Sequence, residues 1–165
     1  LITIISKRIG KKKAFILSQL ISIIGYILFW FLFIPGKPYM FLFALPFHSF
    51  GIGSLFTIMM SMTADVCDLD ELENGVRREG VLGAVYWWMV KLGFGVAALF
   101  SGFILWLVGF NPDQVTETAL TGMRLFYTFL PITGVVLAIL IMKDYDISEE
   151  KANEIKKQLE LKNKK

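Results

Sequence analysis

Uncharged apolar stretches alternate along this chain with short, densely charged ones. Residues 14–34 carry no charge, and residues 39–62 have His48 as their only ionisable group of note. A third apolar stretch, about 84–108, holds one charge, Lys91; a fourth, about 124–142, holds none beyond Arg124 at its mouth. Each matches the roughly 20 residues a helix needs to cross a bilayer. The strict period-two alternation of a barrel strand is absent, and open strand edges cannot be satisfied in hydrocarbon. The pattern therefore predicts an all-α membrane protein with four transmembrane helices. Residues 1–5 read as the end of a preceding helix.

The last 23 residues, 143–165, break the pattern with thirteen charges, and they read as a Lys-rich cytoplasmic tail. Within it, Asp146-Ile147-Ser148-Glu149 has the form of a capping box. Ala152, Ile155 and Leu159 then give a narrow apolar stripe at helical spacing. The expectation is a short helix that does not span, chiefly solvated, with contact to anionic lipid as the alternative.

Basic residues set the orientation. Five lie in loop 6–13, two (Arg77 and Arg78) in loop 63–82, and seven in the tail, fourteen of 17 in all. Both loops and the tail are thus expected on the cytoplasmic side of a cell (inner) membrane, which accounts for the +3 net charge without nucleic acid.

Composition adds exclusions. The chain is 55% apolar and 19% charged over 165 residues, against roughly 25% charged in an average soluble domain, and the long uncharged stretches exclude an ordinary soluble enzyme. Cys67 and His48 are single, so neither an intrachain disulfide nor a His-cluster metal site is available. No nucleophile–base set, phosphate loop or metal-ligand spacing appears, so no catalytic residue, metal or cofactor is expected. The chain starts at Leu1 with no signal-peptide pattern, and its expected status is a C-terminal fragment of a longer polytopic protein.

Lys91 is the most informative residue. A Lys deep in a spanning helix costs about 2.5–3.5 kcal/mol on insertion scales, a cost met where the group faces a cavity or a partner. It lies roughly 15 Å from the helix end near Val81, too deep to reach the interface easily. Ala84, Trp87, Gly95, Ala98 and Gly102 share its face at helical spacing, a stripe of small residues with one indole. That combination suits a polar cavity in which an indole stacks on a sugar ring. Close helix packing through the small residues is the competing reading.

The segment from Ala64 to Gly80 packs six acidic and two basic residues between apolar helices. Asp65, Asp68, Glu71, Arg77, Arg78 and Glu79 suit ion pairs that form in one state of a moving bundle and break in another. Farther back, Pro46 is expected to kink its helix, and Gly51 and Gly53 to permit bending or tight contact. His48 suits a packed interfacial role better than proton carriage.

These residues have a family likeness. Ala64-Asp65-Val66-x-Asp68-x-x-Glu71-x-x-x-Gly75-x-Arg77-Arg78-Glu79-Gly80 resembles the loop before the penultimate helix of the glycoside–pentoside–hexuronide:cation symporters, the melibiose permease-like group of the major facilitator superfamily. Ser6-Lys7-Arg8-Ile9-Gly10-Lys11-Lys12 resembles that superfamily's cytoplasmic turn, and Gly109-Phe110-Asn111-Pro112 with Gly122-Met123-Arg124 fits as well. The resemblance covers nearly the whole chain.

It implies the last third of a twelve-helix transporter, carrying a sugar or glycoside with sodium or a proton by alternating access. Lys91 then matches the family's intramembrane lysine. Tyr86 and Trp87 fall where sugar-contacting residues lie, although they differ from the polar pair of the melibiose permease, and Phe56 falls where the neighbouring helix offers an aromatic. The implied partners are the sugar, the coupling cation, the lipid bilayer and the missing N-terminal half, which would hold the cation site. The fragment alone is expected to be inactive. The alternatives are a non-transporting assembly or interaction subunit, a lipid carrier of the same architecture, and a small four-helix exporter.

Overall fold

The computed structural model describes residues 2–163, for Asn163 the backbone alone; Leu1, Lys164 and Lys165, which the expected helix end and tail included, lie outside the described residues. Six α-helices follow one another: α1 Ile2–Ile9, α2 Lys11–Leu32, α3 Leu45–Asn74, α4 Glu79–Leu107, α5 Glu117–Met142 and α6 Glu149–Asn163. A single 3₁₀ turn, Met40–Phe43, precedes α3. Helices α2 to α5 are each long and apolar enough to cross a membrane.

Several boundaries differ from the sequence reading, always for a local reason. Residues 6–13 are almost entirely helical and not a loop. Only Gly10, at φ +85°, separates α1 from α2, since a residue without Cβ takes up a positive φ freely and turns the chain in one step. The acidic segment continues α3 to Asn74, so only residues 75–78 of the expected loop 63–82 link two helices. Hydropathy falls at Asp65, but the backbone there has no reason to stop. It stops at Gly75, whose φ of +72° supplies the left-handed cap and whose N–H donates to Glu71 O at 2.8 Å.

Pro46 does not kink a helix: α3 begins at Leu45, so the proline sits in the first turn, where its missing N–H costs nothing. The fourth spanning helix starts at Glu117, seven residues before the expected mouth, because Thr116 Oγ1 accepts from Ala119 N at 3.2 Å and caps it. Pro131 is the proline that does lie inside a helix.

α2 is the central post. Ala14, Phe15, Ser18, Gln19, Ser22, Gly25, Tyr26 and Phe29 are buried along it at helical spacing. The α2–α3 crossing is made of small residues, which let backbones approach closely in lipid. A Cβ on Gly25 would lie 2.7 Å from His48 N, and one on Gly51 would overlap Ser22. Gln19 Nε2 donates to Gly51 O at 3.2 Å across the same contact. Gly51 thus serves tight contact, as one of its two expected roles.

Apolar clusters close the two ends. Ile2, Ala14, Phe15, Ile58, Met62 and Met142 form one; Tyr26, Phe29 and Ala44 form the other. At the second, His48 sits edge-on to Tyr26 and Phe29 with centroids 5.1 and 5.5 Å away. α5 packs on α2, whereas α4 has no buried residue along its length.

The C-terminal helix is not a solvated tail. Ala152, Ile155 and Leu159 are all buried where α6 docks on α3. Its cap is Ser148, not Asp146: Ser148 Oγ accepts from Lys151 N at 3.2 Å. The expected stripe is therefore real, and its burial on α3 is what overrides the tail's charge.

Candidate functional site

Because α3 carries on through the acidic segment, Asp65 faces α2 and α6 while Asp68, Asp70 and Glu71 fall in its last two turns. The Asp65 side chain is 1% exposed. Lys11 Nζ, in the first turn of α2, lies 2.5 Å from its Oδ2 and also donates to Ser61 O at 3.4 Å. Lys156 Nζ of α6 stands 3.7 Å from Oδ1, an oxygen with no hydrogen-bond donor among the described residues. The buried Tyr145 hydroxyl lies in the same neighbourhood. Burial, and then the charge of Asp65, push that phenol above its ordinary pKa. Lys12 Nζ ties in the end of α5 by donating to Lys143 O at 2.7 Å and Tyr145 O at 3.1 Å. One carboxylate thus fastens α2, α3 and α6, with α5 held alongside.

The other acids sit where a helix C-terminus disfavours them, because the macrodipole is negative there. Two arginines folding back from the short link offset this. Arg77 Nη1 donates to Glu71 Oε2 at 2.8 Å and to Asp68 Oδ1 at 3.3 Å, and its Nε donates to Glu79 Oε2 at 2.9 Å. It therefore bridges the end of α3 to the start of α4, and Glu79, then Glu71, push its pKa upward. Arg78 grips Asp70 with both Nε (2.9 Å) and Nη2 (2.5 Å). The six expected charged residues thus separate into a buried centre at Asp65 and a solvent-facing lattice around Arg77 and Arg78.

The residues expected to touch substrate lie apart from this. Lys91 and Trp87 are exposed on α4, and Ala84, Gly95, Ala98 and Gly102 on the same face are exposed too. A Cβ on Gly95 or Gly102 would meet nothing within 4 Å. Tyr86 is half-buried and packs edge-on to Trp87, centroids 5.3 Å apart. Phe56 is half-buried on α3. Among the described residues, Lys91 makes no ion pair.

Clefts open elsewhere among the described residues, two of them at the ends of the bundle. One, of about 590 Å³, lies at the Asp65 end between Phe15, Met59, Val66 and Met142. The other, of about 340 Å³, lies at the opposite end between α2 and α5. Neither is lined by Lys91, Trp87, Tyr86 or Phe56.

Lys11 and Lys12 were read only as part of the basic turn, and Asp70, Tyr145 and Lys156 are residues that sequence reasoning did not single out. Asp70 lay within the acidic segment eight positions before Arg78, near enough to be found. Nothing local connects Lys11 or Lys156 to Asp65.

Residues 1–149 match the family of MFS/sugar transport proteins. The chain is 32% identical over 149 residues to the glucuronide carrier protein homolog of Escherichia coli, covering 90% of this chain and 32% of that protein. It is 26% identical to the isoprimeverose transporter of Lactiplantibacillus pentosus, covering 87% and 30%. It is also 26% identical to the putative 2,3-dihydroxypropane-1-sulfonate exporter of Salmonella typhimurium, covering 82% and 29%. The chain thus spans about a third of the length of these relatives. No solved structure matches it.

Proposed function

The chain belongs to the MFS/sugar transport protein family, and from that membership we propose that it forms part of a secondary transporter moving a glycoside, pentoside or hexuronide together with sodium or a proton. The family is one of transporters rather than enzymes, and the four long apolar helices make this a multi-pass membrane protein. The observation that carries the reading is α4. It bears the one lysine set deep in an apolar helix, beside Trp87 on a face of small residues, and nothing else among the described residues covers that face. A cation left without a counter-charge in a spanning helix has its natural place on a substrate pathway.

In this reading Lys91 donates hydrogen bonds to sugar hydroxyls or a carboxylate, and Trp87, Tyr86 and Phe56 supply apolar ring faces. The remainder of a longer polypeptide closes the other side, since substrate sites of this architecture lie between two halves near the midplane. The Arg77 lattice and the Asp65 centre sit at the cytoplasmic ends, where their pairs close the inward-facing path in one state and part in the other.

The test is uptake into membrane vesicles by the longer polypeptide this reading requires, using labelled glycosides, pentosides and hexuronides under imposed sodium or proton gradients. Gradient-driven uptake of one of them, abolished by Lys91→Ala at equal expression, is the expected result. Uptake unchanged in the variant would remove Lys91 from the site. No uptake of any sugar would turn the reading toward a lipid carrier or an assembly subunit. Cells producing only these 165 residues are expected to show no uptake.

A further inference from the structure

The cleft at the end of the bundle opposite Asp65 has two cations and no acid. Its walls are apolar, formed by Leu32, Phe33, Pro35, Leu120 and Met123, with Tyr127 at the side. Among the described residues, Lys37 and Arg124 are the only charged ones lining it. Arg124 is half-buried and donates through Nη2 to Phe33 O. That bond uses one of the guanidinium's five donors and neutralises none of its charge. Among the described residues neither Arg124 nor Lys37 has a carboxylate within 4.0 Å. A half-buried guanidinium in an apolar cleft without a counter-ion is costly to keep, and an anion seated there would remove the cost.

The level of Arg124 in the membrane narrows the choice of anion. α5 runs 26 residues, about 39 Å at 1.5 Å each, longer than a hydrocarbon core of about 30 Å. About 20 residues counted back from Met142 reach Met123, so Arg124 stands where hydrocarbon gives way to headgroups. A soluble anion would gain nothing from the apolar walls below the cations, whereas an acyl chain would.

We propose that Lys37 and Arg124 hold the phosphate of an anionic phospholipid whose acyl chain lies in the α2–α5 cleft. The site is independent of the sugar reading. On the orientation proposed above it faces the outer leaflet.

The experiment is native mass spectrometry of the chain released from nanodiscs of phosphatidylglycerol mixed with phosphatidylcholine. One phosphatidylglycerol is expected to remain bound in preference to phosphatidylcholine. Lys37→Gln and Arg124→Gln are each expected to lower that retention about fivefold, the worth of one basic residue near anionic lipid. Among the described residues Lys37 makes no side-chain hydrogen bond, so its variant keeps the test valid should Arg124→Gln misfold. Lys157→Gln, an exposed lysine on α6, is expected to change nothing. Equal retention of the two lipids, or equal loss in Lys157→Gln, overturns the site. Displacement by soluble glycerol phosphate would overturn the lipid as occupant and leave a site for small anions.

Discussion

Lys11 and Asp65 lie 54 positions apart in the chain, and the ammonium of one sits 2.5 Å from the carboxylate of the other. The acid is 1% exposed and the lysine 16%. Two charges so far out of water gain little as a pair compared with an apolar substitute, but removing one alone strands the other. Lys11→Met is therefore expected to destabilise the fold by about 3–5 kcal/mol, while the double variant Lys11→Met/Asp65→Leu recovers most of it. Thermal unfolding in detergent followed by circular dichroism reads both. A Lys11→Met protein as stable as the parent would show that the pair is not a fastening point.

The docking of α6 rests on two kinds of contact with different weights. Burying the Ile155 side chain contributes about 2 kcal/mol. The Lys156–Asp65 approach at 3.7 Å involves a lysine that is 50% exposed, and pairs of that kind contribute about 0–1 kcal/mol. Ile155→Asp is thus expected to release α6, raising amide hydrogen exchange across residues 149–163. Lys156→Gln should leave exchange nearly as it was. The reverse ranking would make α6 an electrostatic attachment.

What the sequence made legible follows from what acts locally. Four spanning helices could be read from apolar length, because a bilayer imposes that length on any helix crossing it. The stripe of Ala152, Ile155 and Leu159 could be read from its period. The course of α3 past Asp65 could not: a drop in hydropathy marks the end of the hydrocarbon, and the helix ends only where Gly75 turns left-handed. The acidic segment was visible as a cluster, yet its division into a buried Asp65 and an exposed Arg77 lattice depends on which helix passes over it. Lys11 and Lys156 reach Asp65 through tertiary packing alone. Arg124 was read as a residue at a helix mouth; capping by Thr116 moved that mouth outward and left the arginine in the second turn.

Tyr145 gives the α6 junction a pH dependence of definite sign. Burial and the Asp65 charge raise its pKa in the folded state above the ordinary value of 10.0. Below that pH the phenol is protonated in both states and contributes its full share. As pH rises past 10.0, the unfolded chain releases this proton before the folded chain does, so stability falls with pH. Melting temperatures between pH 8 and 11 are expected to drop more steeply for the parent than for Tyr145→Phe. Parallel curves would mean that the Tyr145 hydroxyl does not titrate differently on folding.

The α2–α3 crossing offers the sharpest steric test, because two neighbouring glycines in one helix should respond oppositely. A Cβ on Gly51 would overlap both Cβ and Oγ of Ser22, whereas a Cβ on Gly53 would meet nothing within 4 Å. Gly51 also presents the carbonyl to which Gln19 Nε2 donates, so separating the helices costs that buried bond as well. Gly51→Ala is expected to destabilise by about 1–3 kcal/mol, the usual cost of overpacking. Gly53→Ala is expected to be neutral or to stabilise by up to about 1 kcal/mol, since alanine is the better helix former. Adding Ser22→Gly to Gly51→Ala removes the overlapping atoms, leaving Ser22 Cα at 3.3 Å, and should restore part of the loss. Unfolding midpoints of the three variants, measured in one detergent, decide the matter. If Gly51→Ala and Gly53→Ala behaved alike, the crossing point would lie elsewhere on α3, and the Asp65 centre that hangs from the same pair of helices would have to be placed anew.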